Sequence, residues 1–247
     1  KKYFEAAKQA QYIYRSNGAE WDIVDRNKVK ELDSTMKDVE GIVGGAWTLS
    51  DWTGDIHKFC YEMERVLASK YNVEFKYNST VTEKYGVKAL TEIYDAVVVS
   101  AGVGSVELAK QVGDTLDIYP VKGYSITINN VDNDHLPVVS LLDDQAKIVT
   151  ASLGNRFRVA GTAELNGENY DIRRDRIEPL LNWVHENFPE INTHDYSQYA
   201  CLRPMTPNMM PITKQSDKNK KVYYNTGHGH LGWTLGPITA KEIADKI

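Results

Sequence analysis

VVVSAGVGSVELAK, Val97 to Lys110, passes from an unbroken apolar run through two glycines into a helical pattern. Consecutive β-branched residues without alternation suit a strand buried on both faces, and Gly102-x-Gly104 suits a tight exit from it. Upstream, TLSDWTGDIHKFCYEMERVLASKY (48–71) places Ile56, Phe59, Cys60, Met63, Val66 and Leu67 on one helical face, with Asp51, Thr53 and Asp55 as candidate caps. NVEFKYNSTVTEKY (72–85) alternates like a strand, and GVKAL (86–90) predicts another. Strand, helix and buried strand together predict an α/β layer.

The middle of the chain has a different character. YSITINN (124–130), PVVSLLDD (137–144), AKIVTASL (146–153) and RFRVAGTAEL (156–165) read as successive strands separated by turn residues such as Gly154-Asn155. They predict an antiparallel sheet, a second domain inserted into the first, so the expected class is α/β plus α+β. A helix follows, with Ile177, Leu180, Leu181, Val184 and Phe188 on one face and Pro179 near its first turn. Three prolines in CLRPMTPNMMP (201–211) then force an extended, turn-rich path. The opening KKYFEAAKQAQYIYRSNG has helical spacing to Asn17-Gly18 with neither Met nor N-cap ahead of it, as expected of the middle of something longer.

Composition narrows the function classes. The 247 residues are 42% hydrophobic and 26% charged, enough for one large core or two modest ones. The net charge of −5 is spread along the chain and leaves no basic footprint for nucleic acid. No apolar run approaches the roughly 20 residues that span a bilayer, and no signal-like segment opens the chain. The protein is expected to be soluble, or at most peripheral to a membrane. Cys60 and Cys201 are too few for a disulfide framework and read as two buried free thiols.

Two glycine motifs compete for a cofactor role. Gly102 and Gly104 follow a strand as in G-x-G-x-x-G, but Glu107 stands where the third glycine belongs, and a tight strand exit is the better reading. YYNTGHGHLGWTLGP (223–237) packs four glycines and two histidines into fifteen residues. Bare backbone there lets the main chain approach a flat or anionic ligand, and Gly236-Pro237 is expected to open a final helix whose dipole faces that ligand. His228 and His230 have the spacing of two ligands on a strand, yet nothing completes a metal sphere, so a structural role or packing against a cofactor is the expectation. His57, His135, His185 and His194 are scattered, without a nucleophile motif. Arg203, in the proline-pinned segment CLRPMTPNMMP, reads either as a two-pronged carboxylate clamp or as a surface or ion-paired arginine.

YPVKGYSITI (119–128), CLRPMTPNMMPI (201–212) and NTGHGHLGWT (225–234), in this order and spacing, resemble the small subunit of the bacterial D-amino acid dehydrogenases in the FAD-dependent D-amino acid oxidase superfamily. The resemblance extends over nearly the whole chain and implies the C-terminal portion of such a polypeptide, without the family's opening strand and G-x-G-x-x-G. It implies part of an FAD-binding Rossmann-like domain at 45–115 and 218–247, and an antiparallel-sheet substrate domain at 116–217 with a further part at 1–44. Gly227, Gly229, His230, Leu231, Gly232, Trp233 and Thr234 would then wrap the flavin and ribityl, with the last helix stabilising negative charge around N1 and O2 after hydride transfer to N5. Val81 resembles the strand residue at the adenine, and Ala101-Gly102 the turn passing close to the cofactor. Arg203 would bind the substrate carboxylate and Tyr124 line the substrate side, with no obligatory catalytic side-chain base; the imine product would hydrolyse to a 2-oxo acid.

The resemblance implies as partners a D-amino acid, a quinone or respiratory-chain acceptor and, unless the dinucleotide-binding segment belongs to a longer polypeptide, a second chain supplying it; the location it implies is cytoplasmic, or peripheral on the inner face of the bacterial cell membrane. PNMMP and His230 depart from the family pattern, so no side-chain preference carries over. The alternatives are a truncated, non-catalytic binding module, and an amine oxidase acting on glycine, sarcosine or a cyclic imino acid.

Overall fold

The computed structural model describes residues 2–82 and 86–247. Along the chain come α1 (Lys2–Ser16), β1 (Asp22–Asp25), α2 (Arg26–Leu32), β2 (Gly44–Trp47), α3 (Ile56–Tyr71), α4 (Val87–Ile93), β3 (Val97–Val99) and α5 (Ser105–Val112). Next are β4 (Tyr119–Ile128), β5 (Leu142–Asp143), β6 (Ile148–Leu153), β7 (Arg156–Leu165), α6 (Arg174–Asn187), β8 (Tyr196–Met205), β9 (Ile212–Gln215), β10 (Val222–Thr226) and α7 (Gly232–Ala244). The result is the expected mixture of α/β and antiparallel-sheet structure. It divides into two compact units, each built from three stretches of chain.

The first unit takes the chain up to Asp55, then Gly123–Thr162 and Asp171–Ala200. Its core lies between strands and α6: Tyr124, Ile126, Ile128, Phe157 and Val159 pack with Ile177, Leu180 and Val184. Ile177, Leu180 and Val184 are residues the helical spacing selected, the others lie on segments read as strands, and full burial of each stabilises by about 1.5–3 kcal/mol. The strands belong to a five-stranded sheet of order β5-β6-β7-β4-β8. β6 and β7 pair antiparallel with Thr150 opposite Val159, and Gly154 supplies the positive φ of +66° their turn needs. Asp33, 1% exposed, accepts from the Thr35 amide and hydroxyl and from the Val138 and Val139 amides, which fixes a loop by saturating a buried carboxylate.

The second unit takes Ile56–Lys122, Ala163–Tyr170 and Cys201–Ile247. Its three-stranded sheet runs β3-β10-β9, with β3 parallel and β9 antiparallel to β10. Val87, Val99, Ala109, Val112, Val222 and Tyr224 form its core. Buried Asp114 there accepts from the Tyr224 hydroxyl at 2.8 Å and from Ser216. Burial raises the Tyr224 pKa well above the usual phenol range, so the phenol remains a donor to the carboxylate.

Several expectations are corrected. GVKAL is not a strand: α4 starts after Gly86 because Lys88, Ala89, Leu90 and Glu92 are strong helix formers. No strand forms over 72–82, where Val73, Phe75, Tyr77 and Val81 are 37–64% exposed and lack a paired neighbour among the described residues; the end of that expected strand, 83–85, lies outside them. β3 is not buried on both faces, since Val98 is 40% exposed. Of PVVSLLDD only Leu142 and Asp143 pair. Both cysteines are exposed, Cys60 because it rides on α3, which buries none of its residues. The last helix begins at Gly232, so Pro237 lies inside it; the proline withholds only the amide that would have reached the Trp233 carbonyl.

Candidate functional site

Because β3 and β10 are parallel, their C-terminal ends leave the sheet on the same edge, where open α/β sheets bind ligands. Ala101-Gly102 follows β3, and Gly227 follows β10 directly. Two buried hydroxyls tie these exits together. Ser105 Oγ accepts from the Ala101 amide at 3.0 Å and donates to Thr226 Oγ1 at 2.9 Å, and Thr226 Oγ1 donates to the Gly102 carbonyl at 3.2 Å. Gly102 has φ +58°, and a Cβ there would meet nothing within 4 Å, so bare backbone faces open space beside the second exit.

The loop after β10 is held against the end of β8. The Gly229 amide donates to the Pro204 carbonyl at 3.0 Å. A Cβ on Gly227 (φ +72°) would stand 2.8 Å from Thr206 Cγ2, and one on Gly229 (φ +56°) 2.6 Å from Met205 Sδ. Only glycine satisfies both the backbone conformation and this closeness. The Leu231 amide then returns to the His228 carbonyl, and α7 begins at Gly232 without a side-chain cap and without an acidic residue in its first turn. That end carries partial positive charge and unclaimed amides, an arrangement that favours an anion or an electron-rich ring edge.

His228 fastens the loop to the helix it precedes: its Nε2 lies 2.9 Å from Thr239 Oγ1, which donates to the Gly236 carbonyl. The Thr239 proton being committed, His228 Nε2 is the donor, and burial lowers the imidazole pKa, which keeps the ring neutral. His230 and Thr234 point outward, Trp233 is 46% exposed, and its indole makes an edge contact with Phe59 at 5.0 Å. Asn225 Oδ1, one residue before Thr226, is buried without a hydrogen-bond partner among the described residues.

Ala101, Gly102, Gly227, Gly229, Leu231 and Gly232 thus belong to one edge of the second unit. Arg203 lies in that unit on β8, partly buried, while Val81 lies in the unpaired 72–82 segment at 37% exposure. Tyr124 belongs to the first unit and is 1% exposed in its core. Ser105, Thr226 and Thr239 escaped the sequence reading. Their signal was faint, one hydroxyl residue directly beside or just beyond each glycine cluster. No group of three metal-ligating side chains is gathered among the described residues.

Residues 1–246 match the family described as FAD dependent oxidoreductase. The chain belongs to that family. Among its relatives, D-amino acid dehydrogenase 3 of Mesorhizobium japonicum is 46% identical over 83% of this chain and 53% of its own length. The D-amino acid dehydrogenase of Dechloromonas aromatica is 36% identical over 99% of this chain and 62% of its own. The chain therefore spans between half and two thirds of the length of these curated relatives. In three dimensions it superposes on glycine oxidase from Geobacillus kaustophilus with a TM-score of 0.80, covering 98% of this chain and 67% of the other at 17% identity, a likeness of fold.

The residues of this edge fit the flavin end of the cofactor that gives the family its description. Bare glycine backbone at 102, the glycine loop at 227–232, an uncapped helix start and the orphaned Asn225 oxygen offer close approach and polar contacts for a flat, electron-accepting ring.

Proposed function

We propose that this chain contributes the flavin-facing and substrate-binding parts of an enzyme that oxidises D-amino acids to 2-oxo acids. The observation that carries the reading is the joined exit of β3 and β10, where Ser105 and Thr226 bind a bare Gly102 to the glycine loop in a chain of the FAD-dependent family. FAD, when bound, supplies the acceptor for the electron pair that leaves the substrate. In this reading Ala101, Gly102, Gly227, Gly229, His230, Leu231, Gly232, Trp233 and Thr234 hold the ring, and Val81 belongs to the adenine end. The α7 N-terminus stabilises negative charge at the pyrimidine edge. Arg203 takes the α-carboxylate through two parallel hydrogen bonds and fixes the Cα–H toward the ring.

The dinucleotide-binding segment comes from further polypeptide or from a second chain. Support comes from surface left uncovered in the second unit: Ile56, Phe59 and Met63 on α3 are 39–49% exposed, and β3 is an edge strand among the described residues. An exposed apolar helix face and an unpaired strand edge are each a place for added chain to dock. The electron acceptor in this reading is a quinone or respiratory-chain carrier, reached peripherally at a membrane; no described helix is long and apolar enough to cross one. The test is reconstitution with a G-x-G-x-x-G segment from a family relative, fused or mixed, followed by anaerobic addition of D-alanine. Flavin absorbance that appears on reconstitution and bleaches with D-alanine is the expected result. A colourless product, or flavin indifferent to any D-amino acid, overturns the reading.

A further inference from the structure

Successive residues of β10 turn to opposite faces of the second unit's sheet. Val222 and Tyr224 enter its core, and Thr226 on the same face meets Ser105 of α5. Tyr223 and Asn225 therefore turn to the side on which α7 lies, and the contacts there agree. The Tyr223 hydroxyl donates to the Lys246 carbonyl at 3.2 Å, just beyond α7, and Thr213, the partner of Asn225 on β9, donates to Glu242 of α7 at 2.8 Å. α7 thus runs back along the strand from Gly232, so its start and Asn225 share the end at which the glycine loop leaves. Asn225 Oδ1 is buried there and accepts nothing among the described residues. A buried carboxamide oxygen without a donor is destabilising, and valine would suit the same strand position without that cost. Such an atom calls for a donor that arrives with a ligand.

Donor and acceptor chemistry selects that donor. Along the same edge the carbonyls of Ala101, Gly102, Pro204 and His228 already accept from Gly104, Thr226, Gly229 and Leu231. The first turn of α7 offers amide donors. The pyrimidine rim of a flavin presents two carbonyl oxygens with a single N–H, N3–H, between them. Helix amides suit the carbonyls, and the N–H requires an acceptor. We propose that Asn225 Oδ1 accepts the hydrogen bond of flavin N3–H and so sets the rotation of the ring in its own plane against the α7 start. The proposal rests on the flavin reading above and makes Asn225 a positioning contact within it.

The experiment titrates the reconstituted protein, wild type and Asn225→Val, with FAD and with FAD methylated at N3, which lacks that one donor. Wild type is expected to bind FAD about tenfold or more tightly than the methylated cofactor, because methylation leaves Oδ1 buried and unpaired. Asn225→Val should bind the two within about threefold of one another, FAD having lost its advantage. Melting of the chain alone supplies a second readout: Asn225→Val removes an unpaired oxygen and should melt no lower than wild type. Equal affinities in wild type, or a preference for FAD that survives Asn225→Val, overturns the proposal. A clear fall in the melting temperature of Asn225→Val, or weaker docking of the G-x-G-x-x-G segment to it without FAD, assigns the oxygen to a polypeptide partner and overturns the proposal as well. Flavin bound by wild type without regard to the methyl group sinks this inference alone, whereas a reconstituted wild type that stays colourless sinks the broader reading with it.

Discussion

The His228 imidazole donates from Nε2 to the Thr239 hydroxyl across 2.9 Å, and so ties the glycine loop to the second turn of the helix that follows it. Thr239 is 3% exposed, and its own proton goes to the Gly236 carbonyl. Replacing Thr239 by Val keeps the shape and removes both bonds. The expected loss is about 1–3 kcal/mol of stability in urea denaturation, together with weaker flavin binding in the reconstituted protein. Unchanged stability would mean that the loop is held by its glycine contacts alone.

The same imidazole makes stability depend on pH. Burial lowers its folded pKa below the 6.5 of an unperturbed ring, so the unfolded chain binds more protons between those two values. The contribution is complete above about pH 6.5 and is lost as pH falls through the depressed folded value. A melting temperature that declines on acidification from neutrality, with a shallower decline in His228→Gln, is the expected pattern. Identical slopes in the two proteins would remove His228 from the account.

The glycines divide into two kinds. Alanine at Gly227 collides with Thr206 and strains a positive φ, and should cost about 1–3 kcal/mol or more in folding. Alanine at Gly102 meets open space, so only the φ penalty of about 1 kcal/mol applies. Gly102→Ala should therefore fold nearly normally while its methyl blocks close approach of the flavin, visible as a loss of flavin affinity out of proportion to its melting temperature. Equal effects of the two substitutions on both measurements would contradict the assignment.

In the core beneath, Tyr224→Phe leaves Asp114 with Ser216 and without its phenol donor. A hydrogen bond to a buried carboxylate is worth about 1.5–3 kcal/mol, and a loss of that size is expected in chemical denaturation, with flavin affinity little altered.

Much of this was legible in the sequence because burial imposes periodicity. Ile177, Leu180 and Val184 announce α6, and the run RFRVAGTAEL, with Phe157 and Val159 buried, announces β7, since each pattern is written by a partner face that the chain itself supplies. The failures fall where that partner is lacking among the described residues. Val73, Phe75, Tyr77 and Val81 carry a strand's alternation without a strand, Cys60 and Phe59 carry a helix's inner face without burial, and Val98 has the run of a central strand on an edge. At the site, glycines betrayed the loop by composition. Ser105, Thr226 and Thr239 act through hydrogen bonds between residues up to 124 apart, which no local pattern encodes.

The most direct test of the central claim, that the joined exits of β3 and β10 form half of a flavin pocket, is flavin binding by the reconstituted protein with and without the Ser105–Thr226 bond. Wild type should acquire visible flavin absorbance that D-alanine bleaches anaerobically, and Thr226→Val, which breaks the bond to Ser105 and the bond to the Gly102 carbonyl, should lose at least about tenfold in FAD affinity while remaining folded. A reconstituted wild type that stays colourless, or a folded Thr226→Val that binds FAD as tightly as wild type, would contradict it.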